Sequence, residues 1–367
     1  MKLAIVSGKG GTGKTTVAVN LAALLAARGH CVTLADCDVE EPNAHLFLPV
    51  EWKTRENCTL PVPKVNDTLC LGAACRRCVD ACRFKALAFM GDAVLDFPDL
   101  CHGCGLCALV CPTGAMTYAT RLVGEVRGGI ARIRPAMGDG KNAESPAGAQ
   151  PGGSMPTLRF RDGVLRIGEA MATPLIKAVK DAPLPAAPCA TDRATPQPCA
   201  IAIRDCPPGV ACATINAVHD ADFMLLVAEP SPFGLHDLRL AVALARHLGL
   251  PHAVVLNRDG MGAGMAAGMG QPGTGQTQAD PVRDWTTREG IPLLGVIPFS
   301  RAAAECGASG SLVHDAAPEV RSAYTRLADA IEDMARGNGG PGRPRGRTEP
   351  AGNTTATNGA KERTCDR

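Results

Sequence analysis

The sequence predicts an α/β fold, in which a mostly parallel, helix-covered sheet carries a small inserted α+β domain. Short apolar runs alternate with helical patterns along most of the chain, which is typical of a parallel sheet. This rhythm stops between residues 45 and 158, where cysteines crowd together. No apolar run reaches the roughly 18 residues of a membrane span, and the first residues lack a signal-peptide pattern. We therefore expect a cytoplasmic protein without membrane insertion.

The strands of the main sheet are predicted from segments rich in β-branched residues and leucine. The first two, at 2–7 and 31–36, flank a helix predicted over 15–28, which makes a βαβ unit. Further elements of the same sheet are strands predicted at 200–204, 223–228, 253–256 and 293–297 and helices predicted at 235–248 and 318–336.

A glycine-rich loop follows the first predicted strand and precedes the first predicted helix. Its G-x4-G-K-[ST] pattern in this context is typical of a phosphate-binding loop, so we expect ATP to be held by Gly8, Gly10, Gly11, Thr12, Gly13, Lys14, Thr15 and Thr16. The glycines let backbone N–H groups turn toward phosphates. Lys14 is predicted to bridge the β- and γ-phosphates, and Thr15 to bind Mg²⁺ with help from Asp205.

A second lysine in this loop, Lys9, makes it resemble the deviant Walker A loop of the MinD/ParA/Mrp ATPases, a superfamily that includes the nitrogenase iron protein. The resemblance covers residues 1–45 and about 158–336. It implies a P-loop NTPase that hydrolyses ATP to ADP and phosphate. It also implies that Lys9 reaches the nucleotide of a second subunit, in a homodimer or in a heterodimer with a paralogue.

Three later segments extend the resemblance. Asp36-Cys37-Asp38 resembles the first switch region, in which the second aspartate, here Asp38, orients the attacking water. Asp205-Cys206-Pro207-Pro208-Gly209 resembles the second switch region. Asn257 lies in a segment that resembles the adenine-reading segment, where the amide offers the base a donor and an acceptor. The implied catalytic residues are Lys9, Lys14, Asp38 and Asp205.

Eight of the 17 cysteines lie between residues 70 and 111. Cys101-x2-Cys104-x2-Cys107-x3-Cys111-Pro112 is the bacterial ferredoxin run, and Cys75-x2-Cys78-x3-Cys82 fits the last three positions of another. In two-cluster ferredoxins the fourth cysteine of each run ligates the other run's cluster. We therefore expect one 4Fe-4S cluster on Cys82, Cys101, Cys104 and Cys107, and a second on Cys70, Cys75, Cys78 and Cys111.

Two alternatives remain open for these cysteines. C-x2-C pairs also bind zinc, although two interleaved runs favour clusters. Cys70 lies five residues before Cys75, where the ferredoxin spacing is three. The cluster on this side is therefore either a 4Fe-4S cluster, a 3Fe-4S cluster, a labile cluster, or one that recruits Cys58.

The predicted domain organisation is a first ATPase part over 1–50, a ferredoxin-like domain over 58–120, and a second ATPase part over 121–336. Short strands are predicted around 122–126 and 130–134. Gly-rich composition predicts flexible loops at 136–156 and 260–279 and a disordered tail at 337–367.

Together these motifs resemble the MinD-superfamily ATPases with an inserted ferredoxin domain. The function they imply is ATP hydrolysis at a dimer interface that controls electron transfer to a redox partner or acceptor protein. One alternative is an ATP-controlled iron–sulfur cluster carrier or assembly factor, although no C-x-x-C pair occurs outside 75–107. Another is a positioning ATPase of the MinD/ParA type with a structural ferredoxin. A formal net charge of only +2 gives no support for nucleic-acid binding.

Overall fold

Short apolar segments form the strands of this computed structural model, which describes residues 1–133, 155–182, 198–260 and 280–337. The predicted loops at 136–156 and 260–279 and the predicted tail at 337–367 lie outside the described residues, apart from their outermost positions. The strands are β1 (Lys2–Val6), β2 (Cys31–Asp36), β3 (Val50–Val65), β4 (Leu87–Met90), β5 (Ala93–Asp96), β6 (Met116–Arg132), β7 (Thr157–Leu165), β8 (Ala200–Asp205), β9 (Phe223–Ala228), β10 (His252–Asp259) and β11 (Leu293–Pro298).

The described helices are α1 (Lys14–Ala27), α2 (Arg77–Ala81), α3 (Leu106–Leu109), α4 (Thr173–Asp181), α5 (Cys212–Val218), α6 (Pro232–His247), α7 (Pro281–Arg288), α8 (Arg301–Ala308) and α9 (Pro318–Ala335). Three of them begin at a residue whose side-chain oxygen accepts a hydrogen bond from the first turn. These residues are Ser231, Asp280 and Ser300. Such caps satisfy N–H groups that the helix itself leaves unpaired.

Nine strands form one sheet in the order β11-β10-β9-β1-β8-β2-β7-β6-β3. All pairs from β11 to β7 are parallel, which confirms the predicted mostly parallel sheet. Because the carboxyl ends of β1, β2 and β8 lie side by side, the segments that follow these strands share one edge of the sheet. The register that pairs Asp36 with Asp205 brings both switch regions to that edge.

The core lies on both faces of the sheet. Alternate residues of β1 face opposite sides, so Leu3 and Ile5 pack against α1 and α9, while Ala4 and Val6 pack on the side of α4 and α6. Tyr324 of α9 is the largest fully buried side chain of the described residues. Strands buried on both faces explain why the sequence reads as continuous apolar runs.

The inserted segment joins the main sheet through a long antiparallel ribbon. β3 and β6 pair from Val50 opposite Ala131 to Val65 opposite Met116, and β6 also pairs antiparallel with β7. The two short strands predicted around 122–126 and 130–134 are therefore one continuous strand. The predicted domain boundaries, residues 58 and 120, fall inside β3 and β6.

Residues 66–115, here called the cysteine module, lie at the far end of this ribbon. The module contains the two-stranded sheet β4–β5 and the short helices α2 and α3. Its apolar core is small, because only Leu87, Val94 and Met116 form one buried cluster and Val62, Ala86 and Cys101 another.

Among the described residues, no helix combines the length and the apolar character that a membrane crossing requires.

Candidate functional site

The glycine loop lies between β1 and α1 at the carboxyl edge of the sheet. Gly11 and Gly13 have φ angles of +81° and +87°, a left-handed conformation that side chains disfavour. A Cβ on Gly13 would also lie 2.3 Å from the amide nitrogen of Asn257. The hydroxyl of Thr12 is buried and has no hydrogen-bond partner among the described residues. A buried hydroxyl without a partner fits a polar ligand such as a phosphate oxygen.

The remaining predicted residues of the loop are placed as follows. Gly8 packs against α6, because a Cβ there would lie 2.3 Å from the backbone oxygen of Asp237. A Cβ on Gly10 would meet nothing within 4 Å. The carbonyl oxygen of Thr16 accepts a hydrogen bond from the Asn20 amide.

Lys14, Thr15, Asp38 and Asp205 come together, as the sequence predicts. The Lys14 ammonium lies 2.6 Å from one carboxylate oxygen of Asp205 and 3.8 Å from Asp38. The Thr15 hydroxyl donates to the other oxygen of Asp205 over 2.5 Å. Although burial opposes a charged ammonium, the neighbouring carboxylates raise the pKa of Lys14. An adjacent hydroxyl and carboxylate are ligands of the kind that Mg²⁺ prefers, so these residues fit the ion.

Asp36 is a buried acid that the sequence interpretation left without a role. Its carboxylate accepts hydrogen bonds from the backbone N–H groups of Asp38, Asn43 and Ala44 over 3.0 to 3.1 Å. Burial and the charge of Asp205 raise the pKa of Asp36 well above its usual value. Asp36 therefore fixes the loop that carries Asp38. Its only sequence signal is an acid at the end of a buried strand.

Asp38 is more accessible than Asp36 and faces Lys14. Burial raises the pKa of Asp38 to about 6, while the charge of Lys14 acts in the opposite direction. The side chain therefore titrates close to neutral pH, and its carboxylate form predominates above pH 6.

Lys9 and Asn257 contact residues outside this group of acids. The Lys9 ammonium lies 3.8 Å from Glu229, which also pairs with Arg258 at 2.6 Å. The Asn257 amide donates to the carbonyl oxygen of Thr12 over 2.7 Å. The roles of Lys9 across a dimer interface and of Asn257 toward adenine stay predictions. Glu229 was not predicted, because no motif contains it.

Four of the predicted cluster ligands line one cavity in the cysteine module. Cys70, Cys75, Cys78 and Cys111 line this cavity together with Arg76, Thr113 and mostly apolar side chains. The structure thus places Cys70 beside the three regularly spaced cysteines despite its longer loop. Cys58 instead packs against the apolar core of the main sheet.

The other four predicted ligands are Cys82, Cys101, Cys104 and Cys107. Cys82 and Cys101 pack in the same small cluster. Burial raises the pKa of both Cys78 and Cys107, and each is influenced by a different set of thiols. Cys78 interacts with the two cysteines of its own cavity, Cys70 and Cys111, whereas Cys107 interacts with Cys101 and Cys104. Cys107 also packs against the apolar cluster of Leu87, Val94 and Met116, as Cys70, Cys78 and Cys111 do, so the division of the thiols between two clusters stays a prediction.

Backbone N–H groups point at three of these sulfur atoms. Cys70 accepts from Gly72 over 3.4 Å, and Cys82 and Cys101 accept from Ala86 and Gly103 over 3.3 Å. Such donors favour thiolate ligands and set the potentials of iron–sulfur clusters, so the donor set fits these cofactors. In the part of the chain that the structure describes, no three His, Cys, Asp or Glu side chains are grouped to hold a single metal ion.

The loop after β2 is bonded to the strand that supports the ribbon. The carbonyl oxygen of Val39, next to Asp38, accepts a hydrogen bond from the N–H of Leu165 over 3.0 Å. The next residue, Arg166, donates its N–H to the carbonyl oxygen of Val123 in β6 over 2.9 Å. The end of β7 therefore contacts both the predicted water-orienting segment and the ribbon.

A buried ion pair continues this connection to the cysteine module. The side chain of Glu169 is fully buried and lies 2.7 Å from the guanidinium of Arg121 in β6. The same guanidinium donates to the carbonyl oxygen of Cys101 over 3.3 Å. We call the contacts from Val39 through Glu169 and Arg121 to Cys101 the coupling path. Sequence reasoning missed Arg121 and Glu169, because they lie 48 positions apart and belong to no motif.

Comparison with known proteins gives one family match that spans most of the chain. Residues 3–313 match the family CbiA, described as the CobQ/CobB/MinD/ParA nucleotide binding domain. Uncharacterized protein MJ0579 of Methanocaldococcus jannaschii is 26% identical over 268 residues, which make up 71% of this chain and 81% of that protein.

Two shorter matches concern iron–sulfur proteins. Uncharacterized ferredoxin MJ0199 of Methanocaldococcus jannaschii is 43% identical over 53 residues, which make up 14% of this chain and 86% of the ferredoxin. An iron–sulfur cluster carrier protein of Pyrococcus abyssi is 54% identical over 50 residues, which make up 14% of this chain and 17% of the carrier.

Proposed function

The chain belongs to the CobQ/CobB/MinD/ParA family of nucleotide-binding proteins and contains a ferredoxin-like part, and we propose that it couples ATP hydrolysis at a dimer interface to electron transfer. The observation that carries this proposal is the coupling path, which joins the residue after Asp38 to the backbone of Cys101. The cofactors are ATP, Mg²⁺ and two 4Fe-4S clusters.

The nucleotide site supplies the charges that hydrolysis needs. Lys14 carries a fixed positive charge between Asp38 and Asp205, and we assign it to the β- and γ-phosphates. Thr15 and Asp205 would hold Mg²⁺. Above pH 6 the Asp38 carboxylate accepts a hydrogen bond from the attacking water. Lys9 contributes its charge to the nucleotide of the second subunit.

Movement of the loop after β2 would alter the module through contacts that are already made. Because Val39 is hydrogen-bonded to Leu165, a shift of Asp38 toward the γ-phosphate changes the position of the β7 end. Glu169 follows that end of β7 in the chain and holds Arg121, which holds the Cys101 carbonyl. The bound clusters would supply one-electron transfer at low potential. If Cys101 moved, the hydrogen bonding of this cluster ligand would change, and the midpoint potential of the cluster would change with it.

The test is an anaerobic redox titration of the cluster-loaded protein with and without MgATP, beside a Lys9→Ala variant. We expect about eight irons per chain, by the ligand count of two 4Fe-4S clusters, and a nucleotide-dependent change of midpoint potential or EPR spectrum. Lys9→Ala should keep the clusters but lose the change. Zinc in place of iron, or potentials indifferent to nucleotide, would exclude the mechanism. ATP-dependent loss of clusters to an apo-ferredoxin would instead support the carrier function.

A further inference from the structure

The two cysteine runs are copies of one local structure at a constant separation. Each cysteine of the first run, at 75, 78 and 82, precedes its counterpart at 104, 107 and 111 by 29 positions. The helices α2 and α3 start two residues after Cys75 and Cys104, respectively. Residues 76–85 and 105–114 can therefore be compared position by position.

The backbone agrees between the runs where the residue types do not. Arg76 and Gly105, which precede the two helices, have φ and ψ of 54° and −7° and of 77° and −6°. Lys85 and Gly114 occupy the next equivalent turn with φ of 56° and 67°. The second run uses glycine at both left-handed positions, which is the residue that this conformation favours. The first run holds a long cationic side chain at each of them.

The charge of the two runs differs in the same direction. Residues 105–114 contain no charged side chain, whereas 76–85 contain four basic side chains and one acidic side chain. We call Arg76, Arg77, Arg83 and Lys85 the basic face. All four are exposed.

The side chains of the basic face make few contacts with other described residues. Arg76 lies 3.9 Å from Asp80 and over the ring of Phe89. No ion pair joins Arg77, Arg83 or Lys85 to any residue in the described ranges. Of the two left-handed positions, Arg76 also lines the cavity of Cys70, Cys75, Cys78 and Cys111, whereas Lys85 forms no ion pair with a described residue. An exposed cation at a position that favours glycine, with no ion pair to a described residue, points to a partner outside the chain.

The basic face adjoins the predicted ligands of both clusters. Arg76 and Arg77 lie between Cys75 and Cys78, and the N–H of Lys85 donates to the carbonyl oxygen of Cys82 over 3.3 Å. At the tip of this turn the Phe84 ring stacks on His102, with centroids 3.7 Å apart and an angle of 13° between the planes. The turn therefore places exposed charge and an exposed aromatic pair beside Cys101 and Cys104.

We propose that the basic face is the docking surface for an acidic electron-transfer protein, whose carboxylates surround its own redox group. The inference rests on the redox part of the proposed function. Opposite charges at the rim of an interface speed and orient encounter. Docking here brings the partner's redox group beside the cysteine ligands. One electron then leaves a reduced cluster and reduces the partner, and no bond or proton is exchanged.

The test uses a negatively charged plant-type ferredoxin as the probe and an Arg76→Gly/Lys85→Gly double variant. Binding of the labelled, oxidised probe to the oxidised, cluster-loaded protein is measured across ionic strengths. We expect the variant to bind about tenfold more weakly at low salt, with the difference vanishing near 1 M salt, where charges are screened. Because glycine suits both backbone conformations, the unfolding midpoint and the iron content should stay close to those of the wild type.

An Arg301→Gln/Arg326→Gln double variant is the matched control, since it removes two exposed charges far along the chain. It should bind the probe as the wild type does. Equal affinity of the Gly variant and the wild type would overturn the proposal, as would an equal loss in the control. Tighter binding of a single-stranded oligonucleotide than of ferredoxin, with the same loss in the Gly variant, would also overturn it. Because the binding assay contains no ATP, its result does not depend on whether ATP hydrolysis is coupled to electron transfer.

Discussion

The nucleotide site and the cysteine module organise their functional groups by different means. Around the glycine loop, Asp36, Asp205 and Lys14 are buried and hold one another and the backbone in place. In the module, the functional groups are thiols on short helices and turns over two very small apolar clusters. The first site is set by protein contacts alone. We expect the second to depend on bonds from sulfur to the proposed clusters, as in other small domains with little core.

Removal of the clusters should affect the cysteine module far more than the nucleotide site. When a chelator removes the clusters under anaerobic conditions, residues 66–115 should become open to proteolysis, since the apolar core of the module is small. The main sheet should keep its protection and its affinity for ATP. Limited proteolysis with mass spectrometry, beside equilibrium nucleotide binding, measures both. Equal protection of the module with and without iron would contradict the comparison.

Lys14→Gln should produce the largest effect of a single side chain. It removes the charge that faces Asp205 and the phosphates, so ATP hydrolysis should fall by about 10²- to 10³-fold. Iron content should not change, because the module's ligands lie elsewhere. Steady-state phosphate release and iron analysis give the two readouts, and a variant with near-normal hydrolysis would remove Lys14 from the catalytic residues.

Glu169→Gln should interrupt the coupling path between the nucleotide site and the cysteine module. Arg121 keeps a hydrogen-bond acceptor but loses a buried negative partner, which should lower the free energy of unfolding by about 1–3 kcal/mol. ATP hydrolysis and iron content should remain, while the nucleotide-dependent change in midpoint potential should fall by half or more. Denaturant unfolding and redox titration measure the two effects.

Glu125→Gln is the control for this experiment. Glu125 lies in β6 as Arg121 does, but its partner Arg55 is exposed and 3.4 Å away. Loss of such a surface pair should cost less than about 1 kcal/mol and leave the potential change intact. If both variants lose the change equally, the coupling path is not the connection.

The pH dependence should give the smallest effect. Burial raises the pKa of Asp38 to about 6, so its proton is retained to higher pH than usual and leaves as the pH rises through that value. Since the carboxylate is the working form, kcat/KM, which reports the free enzyme, should rise between pH 5 and 7 and then level off. A flat profile over this range would exclude Asp38 as the residue that sets it.

Most of the main sheet and the phosphate loop could be predicted, because parallel strands buried on both faces carry strong apolar runs and the loop carries a fixed pattern. The ribbon could not. β3 is an edge strand that contains Pro61 and Pro63 and many charged residues, and β6 contains adjacent glycines, so neither reads as a long strand. In fact a Cβ on Gly129 would lie 2.6 Å from the backbone oxygen of Glu51, so close strand pairing requires that glycine.

The residues of the candidate site could also be predicted only in part. Cysteine spacing predicted seven of the eight ligands, and Cys70, which departs from the spacing, lines the same cavity as Cys75; the ligand roles stay predictions. Asp36, Glu169 and Arg121 were beyond reach, because their roles come from burial and from contacts between distant parts of the chain. No spacing rule describes a pair that forms only after the sheet has assembled.

The ribbon also makes the cysteine module a detachable unit. Val65 and Met116 are directly paired, so the chain leaves and re-enters the sheet at one point. A two-residue Asn-Gly turn can close such a pair as an ordinary hairpin. Replacing residues 66–115 by that turn should yield a shorter protein that keeps the nucleotide site and lacks the predicted iron–sulfur clusters. Because Val62 and Met116 complete the apolar clusters of the module, a transplant to another scaffold would have to carry the end of the ribbon with it.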